Sequence, residues 1–348
     1  MKTLRYKFVL LLTVGALTIT FAQEREKKIN RSFQVNPTVM LRVDNQFGRI
    51  HIETWDKNQI DVEVVIRADM RSESRSQEFI DRVEIEISES SSLISLKTEY
   101  GRNMNSRNGE SFSVDYTISM PVQNSLEVEN KFGDIYLSDL TGDLDIDLKY
   151  GKMKGGKLTG KGNIEVAFGG ADIEELANAD LEFKYSDLNL YKARDIDLDQ
   201  QFSNIEIDEM NDLRLRSKYG SVELGLVNSV DGSAGYTDFE IDELIQFADL
   251  DIEYAGGFRI SMVRKGFREL KIDAQYSSMD VRLEEGVNAQ FEGIFRYSDL
   301  RSSGSGIELN YVVKDHNRNE YKGNVGSGGD SRISVDSGYG DLRLGFTN

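Results

Sequence analysis

A short corner motif, written over and over, constrains this chain more than any other feature. An aromatic residue, a small residue and usually Asp, Asn or Ser stand together in "KFGDIYLSDL" (131–140). Close variants return as "KYSDLNL" at 184, "QFSNIEI" at 201, "KYGSVEL" at 218 and "GYGDLRL" at 338. With the aromatic as position zero, it falls at Phe132, Tyr150, Phe168, Tyr185, Phe202, Tyr219, Tyr236 and Tyr254, at intervals of 17 or 18. Tyr276, Tyr297 and Tyr339 follow at 22, 21 and 42, the last read as twice 21. Self-similarity at a fixed period is the mark of a solenoid or a related array.

Each unit is regular inside as well. Positions −6, −4 and −2 are usually apolar (Leu144, Ile146 and Leu148; Leu213 and Leu215), and so are +3 and +5 (Ile135 and Leu137; Ile205 and Ile207), with charged residues between. Strict alternation means a strand with one buried face. The inward set changes from even to odd across the motif, which needs an extra residue in a corner, because a one-residue shift otherwise turns every side chain outward. Gly, Ser and Asp supply the turn. The pattern therefore predicts an all-β fold, a single-stranded β-solenoid with about 17–22 residues per coil and neighbouring coils ~4.8 Å apart. It also predicts a ladder of aromatic rings up one inner corner, so that Tyr219 is a buried ring.

The chain opens MKTLRYK, then FVLLLTVGALTITFA, then strong charge from Gln23. A basic start, an apolar run and small residues at Thr20 and Ala22 predict a signal peptide over 1–22 and export to the periplasm or cell surface. A charged segment over 23–31 follows, and then the solenoid over 32–348. Within it, 32–125 holds N-terminal coils with insertions, 126–300 the regular repeats, and 301–348 irregular C-terminal coils and a cap. "SESRSQEFIDRV" (72–83) reads as a short helical insertion and "GRNMNSRNGES" (101–111) as a loop.

No cysteine occurs, so disulfides, thiolate metal sites and cysteine lipidation are excluded. The formal charge of −18 becomes −21 when Lys2, Arg5 and Lys7 leave with residues 1–22. Such an excess disfavours nucleic acid and anionic lipid as partners. No later run is apolar for the ~18 residues that a membrane helix needs.

The signal-like start, "NQFGRIHIETWDKNQIDVEV" (45–64), "VDYTISMPVQNSLEVENKFGDIYL" (114–137) and the serial corners resemble a secreted bacterial family called "putative adhesin". The resemblance covers most of 32–348. It implies a β-solenoid and, through the family's name, association with the cell envelope; it implies no activity and no catalytic residues.

Sites for chemistry are sparse. His51 and His316 are the only histidines, both at polar positions and neither beside a nucleophile elbow. "GGKLTGKG" (155–162) nearly spells a phosphate loop, but Gly162 stands where Ser or Thr must reach magnesium, so it reads as a turn. Acidic rows such as "DLDIDL" (143–148) could form a calcium ladder. Basic residues at equivalent places, Arg214 and Arg216, instead favour a charge-mixed face. No cofactor or metal is expected. Arg71, Arg75, Arg102 and Arg107, in the two early insertions, form a candidate patch for an acidic partner. The reading is an exported non-enzymatic surface for adhesion, ligand binding or envelope scaffolding, with an envelope protein or glycan as partner. The alternatives are a polysaccharide-cleaving β-helix enzyme and an outer-membrane β-barrel.

Overall fold

The structure, a computed structural model, describes residues 25–101, 109–303 and 306–347. The proposed signal segment, Arg102 and Arg107 lie outside the described residues. The described chain is all-β: 22 strands in one hydrogen-bonded sheet system and a single helix, Glu73–Asp81.

From Leu126 through the middle of the chain, paired residues lie one repeat apart. Leu126 pairs in parallel with Leu144, Leu144 with Gly162, Gly162 with Ala179 and Ala179 with Ile196. One rung further in, Ile146, Ile164, Leu181 and Leu198 stand side by side and are buried. After the corner, Ile135, Met153, Ala171 and Leu188 form the matching row. The alternation of the sequence is thus converted into apolar columns inside and charged columns outside. A membrane barrel needs the inverse, an apolar band facing out.

The corner differs from its sequence reading in one decisive respect. At ten repeats, from Tyr150 to Tyr339, the aromatic has a positive φ of 50–61°. A residue in this left-handed conformation throws its side chain outward, so the rings stand on the outside of the corner. The residue that enters the core is the next one: Ser186, Ser203, Thr237 and Ser277 are all buried. The inward set runs −2 and then +1, leaving −1 and 0 both on the outer side. At Gly220 the backbone of the neighbouring repeat is so close that an added Cβ would lie 2.0 Å from the Ser203 carbonyl oxygen, at φ +119°. Only glycine fits there.

The ends depart from the simple order. The strand Ser331–Gly338 lies between Glu269–Gln275 and Ala289–Arg296, so the Tyr339 unit is inserted between those of Tyr276 and Tyr297. The interval of 42 therefore marks a return of the chain, not a skipped coil. The hairpin of Ile307–Asp315 and Arg318–Val325 pairs outside Ala289–Arg296. At the other end Arg25–Gln34, within the charged N-terminal stretch, pairs antiparallel with Gln59–Asp69. The expected insertion is the helix, begun by Ser72, whose Oγ accepts the Arg75 amide (3.3 Å) and which buries Phe79 and Ile80. "GGKLTGKG" is extended, not turned, and lies in the strand Lys152–Ala167 with a register irregularity between Leu158 and Lys161.

Candidate functional site: an exposed aromatic ladder

The corner rings stack across the repeats into one column. In spatial order it runs Phe47, Phe132, Tyr150, Phe168, Tyr185, Phe202, Tyr219, Tyr236, Tyr254, Tyr276, Tyr339 and Tyr297. Ring centroids are 4.6–5.2 Å apart and planes differ by 1–25°. Ten of the twelve rings expose 43–58% of their surface. At the strand spacing the column is roughly 50 Å long.

A bulky residue in the left-handed region costs about 1–2 kcal/mol, and a stacked aromatic pair returns about 0.5–1.5 kcal/mol. Each ring has a neighbour on both faces except at the ends, so stacking roughly offsets the backbone cost. The arrangement holds together without burial. It also fixes what the column can touch: the faces are occupied by neighbouring rings, and only ring edges and phenol hydroxyls meet solvent. Flat ligands cannot slide between rings. One end is closed, where Phe47 meets Tyr100 (5.5 Å, 86°) and Phe112 (4.9 Å, 66°) edge-on, with Phe79 of the helix behind Phe112 (4.5 Å).

Beside the ladder, the outer face after the corner carries two shallow grooves. One, of about 570 Å³, is lined by His51, Tyr136, Lys154, Asp172, Asn189 and Tyr191. Gly156 leaves out a side chain in its floor, and Asn189 Nδ2 donates to Asp172 Oδ1 (2.6 Å). The other, of about 810 Å³, includes Glu240, Arg259, Asp280 and Arg343; Arg259 Nη1 is 3.0 Å from Glu240 Oε1. The face before the corner is charge-mixed. Arg214 pairs with Asp197 (3.3 Å), Arg216 with Asp197 (3.0 Å) and Asp199 (3.3 Å), and Lys271 with Asp249 (2.9 Å). Where bases run short, acids repel: burial and the neighbouring Asp273, Glu253 and Asp249 push the Asp251 carboxyl up. Among the described residues no group of three or more His, Asp or Glu side chains is arranged to hold a metal.

Arg71 and Arg75 meet at the start of the helix over Glu110, whose side chain is buried; Arg75 Nε is 3.1 Å from Glu110 Oε1 and Arg71 Nε 4.0 Å. This half of the arginine patch is already engaged by a carboxylate. His316 is 99% exposed beside Asp315, and His51 lies 3.6 Å from Glu53 and 5.9 Å from the Tyr136 ring. Sequence reasoning listed eleven of the twelve rings, all but Phe47, but placed the ladder inside. It missed Tyr136 and Tyr191, although both interrupt a row of outward positions that is otherwise mostly charged or small.

Three comparisons bear on the chain. No family model and no curated protein matches it. Solved structures do. A "putative adhesin" from Parabacteroides merdae is 10% identical over 91% of this chain and 96% of its own, with a TM-score of 0.33. A "putative cell adhesion protein" from Clostridium sporogenes is 10% identical over 93% and 100%, at 0.22. A "putative lipid binding protein" from Parabacteroides distasonis is 12% identical over 91% and 96%, at 0.27. Adhesin is the prevailing name among these neighbours, the same group that the corner motifs resemble. Among the described residues no helix is long and apolar enough to cross a membrane.

Proposed function

We propose that this chain is an exported, non-enzymatic β-solenoid whose outer ladder is a contact strip for an envelope protein or glycan. The ladder itself carries the reading. Ten half-exposed aromatic rings offer on the order of 1,000 Å² of largely apolar surface. That exceeds the roughly 300–600 Å² of the largest patch on a typical monomer, and larger patches mark interaction sites. Stability alone gives no reason to hold rings at a strained, solvent-facing position when glycine would fill it freely. The strip offers apolar edges and a row of hydroxyls at strand spacing, which suits a long partner laid along the rod better than a small molecule. Export rests on residues 1–22.

The test is capture from an envelope fraction, paired with binding to immobilised glycans, using the wild type and a Tyr150→Ser, Tyr185→Ser, Tyr236→Ser variant. Both proteins should give the same β-rich circular dichroism, and the variant should lose most of the captured partner. Equal capture by a folded variant overturns the strip. Release of cleaved sugar during the glycan assay would favour the polysaccharide-cleaving alternative.

A further inference from the structure

Among the described residues four strands lie at the outer edges of the sheet system, each paired on one side only: Arg25–Gln34, Val83–Glu89, Leu300–Ser303 and Ile307–Asp315. Open edges invite pairing with other chains, and charge or shortness blunts them. Arg25–Gln34 carries Arg25, Glu26, Lys27, Lys28 and Arg31; Val83–Glu89 carries Glu84, Glu86 and Glu89; Leu300–Ser303 has four residues. Ile307–Asp315 has no charge at its centre, and its register irregularity, between Leu309 and Tyr311, comes before the regular stretch Tyr311–Asp315. Tyr311, Val312 and Val313 follow one another there and are 45%, 48% and 42% exposed.

From this contrast we infer that Ile307–Asp315 is a self-association edge, which pairs antiparallel with the same strand of a second copy about a two-fold axis at Val312. The triplet is complementary to itself about that point. Tyr311 of each copy meets Val313 of the other, an aromatic and β-branched pair of the kind that stabilises sheets, and Val312 meets its own equivalent. Faces agree as well. Tyr311 stands opposite Lys322, on the outer side where Lys322 pairs with Glu292, and Val313 shares that side. Val312 stands opposite the buried Tyr321, on the core side at the open end of the stack. Charge also permits it. The hairpin carries Glu308, Asp315 and Glu320 against Lys314, Arg318 and Lys322, so it is balanced on a protein of net charge −18. Repulsion between copies at this end is therefore low. A contact of about five paired residues falls below the roughly 1,000 Å² of a stable interface, so the dimer is reversible.

Charge placed at the axis provides the test. Val312→Lys sets two ammonium groups opposite each other and Val312→Glu two carboxylates, whereas a one-to-one mixture sets Lys against Glu. By sedimentation velocity near physiological salt, the wild type should dimerise at on the order of 100 μM. Each variant alone should remain monomeric with an unchanged melting midpoint, and the mixture should dimerise again. A wild type that stays monomeric throughout, variants that dimerise as the wild type does, or a mixture that fails to pair would each overturn the proposal. Because the chain has no cysteine, Val312→Cys gives an independent readout. Directly opposed residues have Cα atoms about 4.5–5.5 Å apart, within disulfide reach. Mild oxidation should therefore link two copies through residue 312, and failure to do so at concentrations where the dimer forms would reject the axis.

Discussion

Between Leu144 and Leu283 each strand pairs with the strand one repeat before it, whereas beyond Glu284 order in sequence and order in space part company. In the middle, partners lie one repeat apart and no edge is left open. At the C-terminal end, Ser331–Gly338 must enter between two units already formed, and an antiparallel hairpin is laid over the outside. A stack of identical units can protect every edge except its last, so the ends must use other devices. The N-terminal end uses antiparallel strands and a helix. The C-terminal end leaves Tyr311, Val312 and Val313 in water. Regularity therefore closes the edges of the middle, and departures from it leave an edge open at the C-terminal end.

The largest effect expected of this contrast comes from removing packing in the middle. Phe183 is fully buried and fills the position two before Tyr185. Phe183→Ala should cost about 3–5 kcal/mol in urea unfolding, while Val312→Ala should stay within about 0.5 kcal/mol. Similar losses at the two sites would break the distinction between stacked middle and open end.

Tyr185 sharpens the comparison within one repeat. Its ring stacks on Phe168 (5.1 Å) and Phe202 (4.8 Å) and is otherwise exposed. Tyr185→Ala should cost about 1–2 kcal/mol, from two lost stacking pairs. Tyr185→Gly should be nearer neutral, because glycine removes the left-handed penalty. A loss as large as that of Phe183→Ala would place the ring inside after all.

The smallest effect separates the acidic rows of the middle from the balanced terminal hairpin. Folding raises the Asp251 carboxyl above its ordinary 3.8. The folded protein therefore takes up this proton first, and stability falls as pH rises from 3.8 through the raised value. At neutral pH the repulsion is fully present. Asp251→Asn should then raise the unfolding midpoint at pH 7 slightly, within about 0.5 kcal/mol given solvent screening. The gain should vanish in acid. A gain that is the same at both pH values would show that charge is not its cause.

Much of this was legible in the sequence. Alternation named the inward residues of both strands, and the interval of 17 or 18 gave the register in which Ile146, Ile164, Leu181 and Leu198 meet. The side of the ring was not legible. Counted forward from −6, −4 and −2, position zero points in; counted back from +5 and +3, position +1 does. Parity cannot decide between them, because the switch happens inside the motif. A φ near +54° at Tyr150 settles it outward, and that angle leaves no trace in a bulky residue's identity, since glycine is the usual occupant of such a position. The return of Ser331–Gly338 was hidden for a similar reason: a strand inserted between earlier ones keeps the same motif and spacing as one added at the end. Tyr136 and Tyr191 were overlooked because single aromatics at outward positions lack any period.

Rings that face water are open to a reagent in solution, and rings in the core are not. Chemical nitration of the native protein at low concentration, followed by peptide mass mapping, tests this directly. Tyr150, Tyr185, Tyr236, Tyr254, Tyr276, Tyr297 and Tyr339 should all be modified. Tyr116, buried and hydrogen-bonded to Thr98 (2.7 Å), with its phenol pushed up to about 12 by burial, should react only after unfolding. If the ladder tyrosines are instead as protected as Tyr116, the rings line the interior and the contact strip does not exist.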